Sequence, residues 1–246
     1  MKILMKSAIA AAVVAIATPA FASTITLSGL STGLGRTVQT NVTSGTYHAG
    51  QLTWNVSAMT GNAGALTGLS VGDTVSTFCT ELAQLAGAPT VFNVVDVEDA
   101  PQPGSGMGEL RATYINTLYS NYYAHAFESN TSAAAFQLAV WEIVHEADAA
   151  LNNATLDANA GAFQVTGGTA MNIEGGQAMS AVAMANSWLT TLAGILSSDD
   201  ATMFALTNVD VQDQLILTSV IPLPAPLLLG GLGLAMVPVL RRRFSA

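Results

Sequence analysis

The stretch SAAAFQLAVWEIVHEAD, residues 132–148, predicts an amphipathic helix that packs one face against a hydrophobic core. The apolar stripe of this face consists of Phe136, Val140, Ile143 and Val144. Gln137 and Trp141 lie four residues apart at the edge of the stripe. A buried amide without hydrogen-bond partners costs about 1–3 kcal/mol, so Gln137 needs a specific polar partner in the fold.

Residues 1–22 are predicted to be a secretory signal peptide. Lys2 and Lys6 precede an uncharged apolar run, and small residues in Ala20-Phe21-Ala22 mark a cleavage site before Ser23. The rest of the chain is therefore expected to be exported.

Residues 220–246 are predicted to be a C-terminal sorting signal. The stretch from Val220 to Leu240 carries no charge and is long enough to span a bilayer. The cluster Arg241, Arg242 and Arg243 follows at once and should stay on the cytoplasmic side. A simple C-terminal membrane anchor is the alternative.

The motif Pro222-Leu223-Pro224-Ala225, the apolar helix and the arginine cluster together resemble the PEP-CTERM sorting signals of the Val-Pro-Leu-Pro-Ala type, although Ile221 replaces the valine. The resemblance implies that an exosortase-type enzyme of a Gram-negative bacterium processes an inner-membrane precursor. It also implies release of the protein to the cell surface or extracellular matrix.

Residues 23–219 form the exported body, which is large enough for a domain with its own core. The body holds two arginines, no lysine and all sixteen acidic residues, so its formal net charge is −14. Such a surface repels phosphate backbones, which excludes nucleic acid as an expected partner. The body also holds Cys79, the only cysteine of the chain, which has no partner for a disulfide in an oxidising compartment.

The body is predicted to be α+β, with an antiparallel sheet or sandwich-like part and a helical insert. Short segments rich in Thr, Val, Leu and aromatic residues, separated by Gly, Asn and Ser, predict strands over 24–78. Residues 80–88 could form one or two helical turns, and 100–108 read as a Pro- and Gly-rich linker. Helices are expected over 109–127, 132–148 and 176–196, and strands return after 203.

Cys79 and Gln137 lie in contexts that resemble those of the Cys-Gln thioester domains of bacterial surface proteins. These contexts are an aromatic residue before the cysteine, in TFCTEL, and a glutamine four residues before a tryptophan, in FQLAVW. The resemblance implies a thioester between the Cys79 sulfur and the Gln137 acyl carbon, with Phe78 and Trp141 shielding it from water. An external amine on a surface or matrix polymer would then be the reaction partner.

Thiolate attack on the Gln137 amide, with loss of ammonia, would also convert an exposed thiol and a half-buried amide into one nearly apolar bridge. The function expected from these residues is adhesive or structural, without enzymatic activity and without a cofactor.

Two other interpretations of Cys79 remain open. It could be an inert buried residue of a structural envelope protein, since free cysteine packs as a small hydrophobe. It could also be the nucleophile of a cysteine hydrolase that uses His125 or His145 with an acid. The candidate acids are Asp148 and Glu128, and Cys79 could then open a helix that lowers its pKa.

No metal site is expected, because the histidines are scattered and the acidic run DVED at 96–99 lacks the spacing of a calcium-binding loop. His48 is expected to be a surface strand residue.

Overall fold

Alternating apolar and polar residues form a long antiparallel hairpin at the start of the body. Strand β1 (Thr24–Thr40) pairs with β2 (Tyr47–Thr60), and β-bulges interrupt the register at three places along β1. Ile25 and Leu27 bury their side chains on one face, as a period of two requires. The computed structural model describes residues 22–102, 105–174, 176–196 and 203–217.

Within these described ranges, seven further strands and five α-helices follow. The strands are β3 (Thr74–Cys79), β4 (Thr90–Asp96), β5 (Pro101–Gln102), β6 (Ser105–Gly106), β7 (Val165–Gly167), β8 (Met203–Thr207) and β9 (Gln214–Leu217). The helices are α1 (Ala63–Thr67), α2 (Gly108–Tyr122), α3 (Asn130–His145), α4 (Asp148–Asn152) and α5 (Ala181–Leu192). Short 3₁₀ turns cover Val97–Asp99, Ala124–Phe127 and Thr169–Met171.

The main sheet closes on itself. Its strand order is β2-β3-β9-β8-β4-β1-β7, and β1 also pairs with β2, so six antiparallel strands form a ring. The strands β8 and β9 come from the C-terminal part of the body and complete the ring between β3 and β4. This closure brings the end of β3, which carries Cys79, next to a segment more than a hundred residues away in the chain.

Helix α3 lies in the centre of the molecule. Ser129 begins it with a capping box, in which its hydroxyl accepts the Ser132 N–H and the Ser132 hydroxyl accepts the Ser129 N–H. The helix contacts β1 and β2 on one side and α2 and α5 on others. All residues from Thr131 to Val144 are buried, so the prediction of an amphipathic helix with one face in the core is wrong: α2 and α5 also pack against it.

The predicted α+β class is confirmed at the level of a mixed fold with an antiparallel sheet and several helices. Two local predictions are wrong. Residues 80–88 contain no helix, because the Glu81 and Leu85 carbonyls accept hydrogen bonds from the side chain and the backbone of Gln212 instead. Within the predicted linker at 100–108, the short strands β5 and β6 pair with each other.

The predicted signal peptide, apart from Ala22, and the predicted sorting signal with its Pro-Leu-Pro-Ala motif and arginine cluster lie outside the described residues. Within the described part of the chain, no helix has the length and apolar character needed to cross a membrane.

Candidate functional site

Cys79 is the last residue of β3 and is 3% exposed. It lies opposite Gln214 of β9, and the following residue, Thr80, donates its N–H to the Asp213 carbonyl. Because hydrogen-bonding direction alternates along an antiparallel strand, this bond turns the N–H and C=O of Cys79 away from β9. Strand β2 pairs with β3 only as far as Thr77, so no strand in the described part of the chain reaches these two groups.

Gln137 of α3 supplies the missing partner. The Cys79 N–H donates to Gln137 Oε1 at 2.9 Å, and Gln137 Nε2 donates to the Cys79 carbonyl at 2.7 Å. The side-chain amide thus pairs with Cys79 as a neighbouring strand would, across 58 positions of the chain. The structure therefore brings together the two residues that the sequence singled out, and Gln137 is completely buried.

The Cys79 sulfur contacts a residue that sequence reasoning missed. Its Sγ lies 3.7 Å from Oε1 and 3.6 Å from Nε2 of Gln214. Cross-strand side chains at a position without ladder hydrogen bonds approach each other closely, which explains this contact. The sequence signal for Gln214 was weak, because a glutamine at the start of a strand is unremarkable until its pairing partner is known.

Burial raises the pKa of the Cys79 thiol to about 12; the Gln214 hydrogen bond lowers this pKa, and the charge of Glu81 raises it. The free thiol is therefore protonated at neutral pH and is a poor nucleophile toward molecules in solution. The prediction that Cys79 could open a helix that lowers its pKa is wrong, because no helix begins between β3 and β4 and the pKa is raised.

A chain of hydrogen bonds holds Gln214 in place. The Trp54 indole N–H donates to Thr77 Oγ1 at 2.8 Å, and the Thr77 hydroxyl donates to Gln214 Oε1 at 2.8 Å. Gln214 Nε2 donates to the Gln212 carbonyl at 3.0 Å. The orientation of the amide against the sulfur is thus determined on both sides.

Two aromatic residues were predicted to shield the site, and both are buried. Phe78 packs against Phe136 with ring centroids 4.6 Å apart, and this pair joins Tyr123 in an aromatic cluster beneath α3. Trp141, one helical turn after Gln137, packs against Phe163 at 6.5 Å. The immediate surroundings of Gln137 on α3 are therefore apolar and closed to solvent.

The histidines and acids predicted for a cysteine hydrolase interact with residues other than Cys79. His125 Nδ1 is 2.9 Å from Glu128 Oε1, and both side chains are more than half exposed. Helix α3 ends at His145, whereas Asp148 begins α4, so the expectation that these two residues share one helix is wrong.

His145 is half-buried and stacks against Phe163, with ring centroids 6.2 Å apart. Its pKa is lowered to about 4, first by burial and then by the nearby Arg111 charge. Asp148 forms an ion pair with the same Arg111, with 2.6 Å between Asp148 Oδ1 and Arg111 Nη1. These residues therefore form a structural group around the end of α3.

The remaining predictions concern metals and surface residues. Among the described residues, no group of three or more His, Cys, Asp or Glu side chains could hold a metal ion. The acidic residues of 96–99 surround a 3₁₀ turn and are exposed. His48 lies on β2 and is half-buried, and burial lowers its pKa.

No family model matches the chain, and neither the curated proteins nor the solved structures give a significant match.

Proposed function

We propose that this chain is an exported surface or matrix protein whose Cys79 and Gln137 form an internal thioester that captures external amines. In this proposal the α+β body is a thioester-like domain and has no enzymatic turnover. The observation that carries the proposal is the reciprocal pair of hydrogen bonds at 2.9 and 2.7 Å between the Gln137 amide and the Cys79 backbone.

The chemistry requires no co-reactant. The Cys79 sulfur attacks Gln137 Cδ, the Cδ–Nε2 bond breaks, and the thiol proton leaves with the nitrogen as ammonia. The Cys79 N–H already donates to Gln137 Oε1, so it supports the negative charge that develops on that oxygen during the attack. The two hydrogen bonds hold the Gln137 amide at the Cys79 backbone. Attack by the sulfur of the same residue would then be an intramolecular step, for which effective molarities of about 10⁵–10⁸ M are reached when the reacting groups are aligned.

The surroundings support survival of such a bond. Cys79 and Gln137 are both buried, and exclusion of water slows hydrolysis of a thioester. The body contains no lysine, so it carries no ε-amine of its own that could consume the thioester. An amine from another molecule is then the natural reactant.

The sorting part of the proposal rests on the sequence resemblance. The signal peptide would deliver the chain across the inner membrane, and the tail would hold the precursor there until an exosortase-type enzyme removes it. The proposed destination is the cell surface or extracellular matrix of a Gram-negative bacterium, where amine-bearing polymers are available.

Intact mass spectrometry of the secreted protein tests the thioester. We expect a mass lower by one ammonia than the processed sequence requires, and we expect methylamine to add its full mass and to release one titratable thiol. The Cys79→Ala variant should show neither change. Fragment analysis of the methylamine-treated protein should place the label on Gln137.

Three outcomes would contradict the proposal. An unshifted mass with a thiol that reacts only after unfolding would make Cys79 an inert core residue, with Gln137 serving only to complete the edge of β3. A methylamine label on Gln214, whose amide also contacts the sulfur, would show that Gln214 and not Gln137 supplies the acyl group. Alkylation-sensitive hydrolysis that His125→Ala or His145→Ala abolishes would indicate an enzyme.

A further inference from the structure

A cavity of about 440 Å³ lies beside the strand end that carries Cys79. Glu81, two residues after the cysteine, and Asp213, which precedes Gln214, both line it. Ala83, Pro101 and Val209 add apolar surface to the lining. The cavity therefore combines two carboxyl groups with a hydrocarbon wall.

Both carboxyl groups are buried, since Glu81 is 7% exposed and Asp213 is 3% exposed. Glu81 Oε2 accepts the Ala83 N–H at 2.8 Å, whereas Glu81 Oε1 has no hydrogen-bond partner among the described residues. Burial raises the pKa of Asp213 to about 6; the hydrogen bond from the Asn208 N–H lowers it, and the Glu81 charge raises it. Two buried carboxylates that repel each other are stabilised when a cation binds between them.

The chain itself offers no such cation in the described structure. The only lysines and arginines of residues 23–219 are Arg36 and Arg111. Arg36 forms an ion pair with Glu174, and Arg111 forms one with Asp148. Both arginines are thus paired away from this cavity, and a cation supplied by another molecule would balance Glu81 and Asp213.

We propose that this cavity binds a primary alkylammonium group, carried either by a free alkylamine or by a lysine side chain of a partner protein. An ammonium has three N–H donors, which suit the free Glu81 oxygen and the neighbouring Asp213 carboxylate. The alkyl chain would pack on the apolar wall, where Val209 is 88% exposed and thus available for contact.

Two other cations fit the cavity less well. A quaternary ammonium prefers an aromatic cage, and no aromatic residue is part of the cavity lining in the described structure. A calcium ion needs six to eight oxygen ligands. Two of the oxygens at the cavity are already used as hydrogen-bond acceptors, since Asp213 Oδ1 accepts the Asn208 N–H and Asn208 Oδ1 accepts the N–H groups of Asp210 and Val211.

This site does not depend on the thioester, because the carboxylates and the cavity exist without any bond between Cys79 and Gln137. Where the thioester forms, the site would hold amines close to the segment that follows Cys79. Binding and covalent capture can therefore be measured separately.

Isothermal titration calorimetry of the exported protein carrying Cys79→Ala measures ligand binding to the cavity without the thioester. We expect n-butylammonium to bind, and n-butanol, which has the same carbon chain without the charge, not to bind. Glu81→Gln and Asp213→Asn each keep an oxygen acceptor for their backbone N–H partner, and each should weaken n-butylammonium binding at least tenfold. Asp210→Asn removes an exposed carboxylate of the same loop and should leave binding unchanged.

A short peptide with one lysine, compared with the same peptide carrying norleucine, distinguishes a protein partner from a free amine as the source of the ammonium. Absence of n-butylammonium binding, or binding that Glu81→Gln does not weaken, would overturn the proposal. Tighter binding of Ca²⁺ than of n-butylammonium at the same carboxylates would also overturn it. Circular dichroism and the thermal midpoint of each variant verify that it is folded.

Discussion

Replacement of Gln137 by methionine in the Cys79→Ala background should destabilise the protein strongly. Methionine has a similar length and is apolar, so it fills the same space on α3 while it removes the amide. The Cys79→Ala change excludes the thioester, so the experiment measures the two hydrogen bonds at 2.9 and 2.7 Å alone. Backbone groups at position 79 keep their places in this background, since neither bond uses the sulfur.

The expected magnitude follows from the backbone groups left behind. The N–H and C=O of residue 79 lose their partner in a buried site, and each unpaired group costs about 1–3 kcal/mol. The free energy of unfolding should therefore fall by about 2–6 kcal/mol, as measured by urea titration of single and double variants at neutral pH. Gln39→Met in the same background, which removes an exposed Gln39–Thr46 hydrogen bond, is the matched control and should change stability by about 0.5 kcal/mol or less. A loss at Gln137 no larger than the loss at Gln39 would refute the assignment of Gln137 as the edge partner of β3.

Three further predictions concern buried polar groups. Burial, with the nearby charges, raises the pKa of Glu142 from 4.5 to about 8, so the folded protein keeps a proton that the unfolded chain releases. The free energy of unfolding should therefore fall by up to about 1.4 kcal/mol per pH unit as the pH rises between these two values. Urea titrations at pH 5 and pH 8 should show that Glu142→Gln removes this part of the pH dependence. Arg111→Lys loses the fork that donates to the Glu146 carbonyl at 2.7 Å and should cost about 1–3 kcal/mol, so an unchanged urea midpoint would contradict this role. Thr77→Val leaves the Trp54 indole N–H unpaired and should lower the free energy of unfolding by about 2 kcal/mol, whereas Thr77→Ser keeps the hydroxyl and should lower it by less.

Much of the secondary structure could be predicted because its signals are local. Segments rich in Thr, Val, Leu and aromatic residues predicted the strands β1 and β2, and the apolar stripe from Phe136 to Val144 predicted α3, which Ser129 caps. The segment after Cys79 was harder, because its Leu and Ala spacing suits a helical turn. Its actual conformation depends on distant contacts, such as the hydrogen bond from the Gln212 side chain to the Glu81 carbonyl.

The candidate site was predicted in part. The lone cysteine and the glutamine on a buried helix could be selected from composition and spacing. Their relative position could not be derived from the residues alone, because it depends on where β2 stops pairing with β3. Gln214 was missed since its closeness to Cys79 arises from a pairing across 135 positions.

The sequence by itself indicated a mixture of strands and helices, the acidity and lack of lysine of residues 23–219, a single cysteine, and a glutamine beside an apolar helical stripe. Only the tertiary structure decided that six strands close into a ring, that α3 is buried on every side, and that the Gln137 amide pairs with the Cys79 backbone. The physical reason is that periodicity and capping act over a few neighbouring residues. Ring closure and the cavity beside Glu81 depend instead on contacts between segments that only the folded chain brings together.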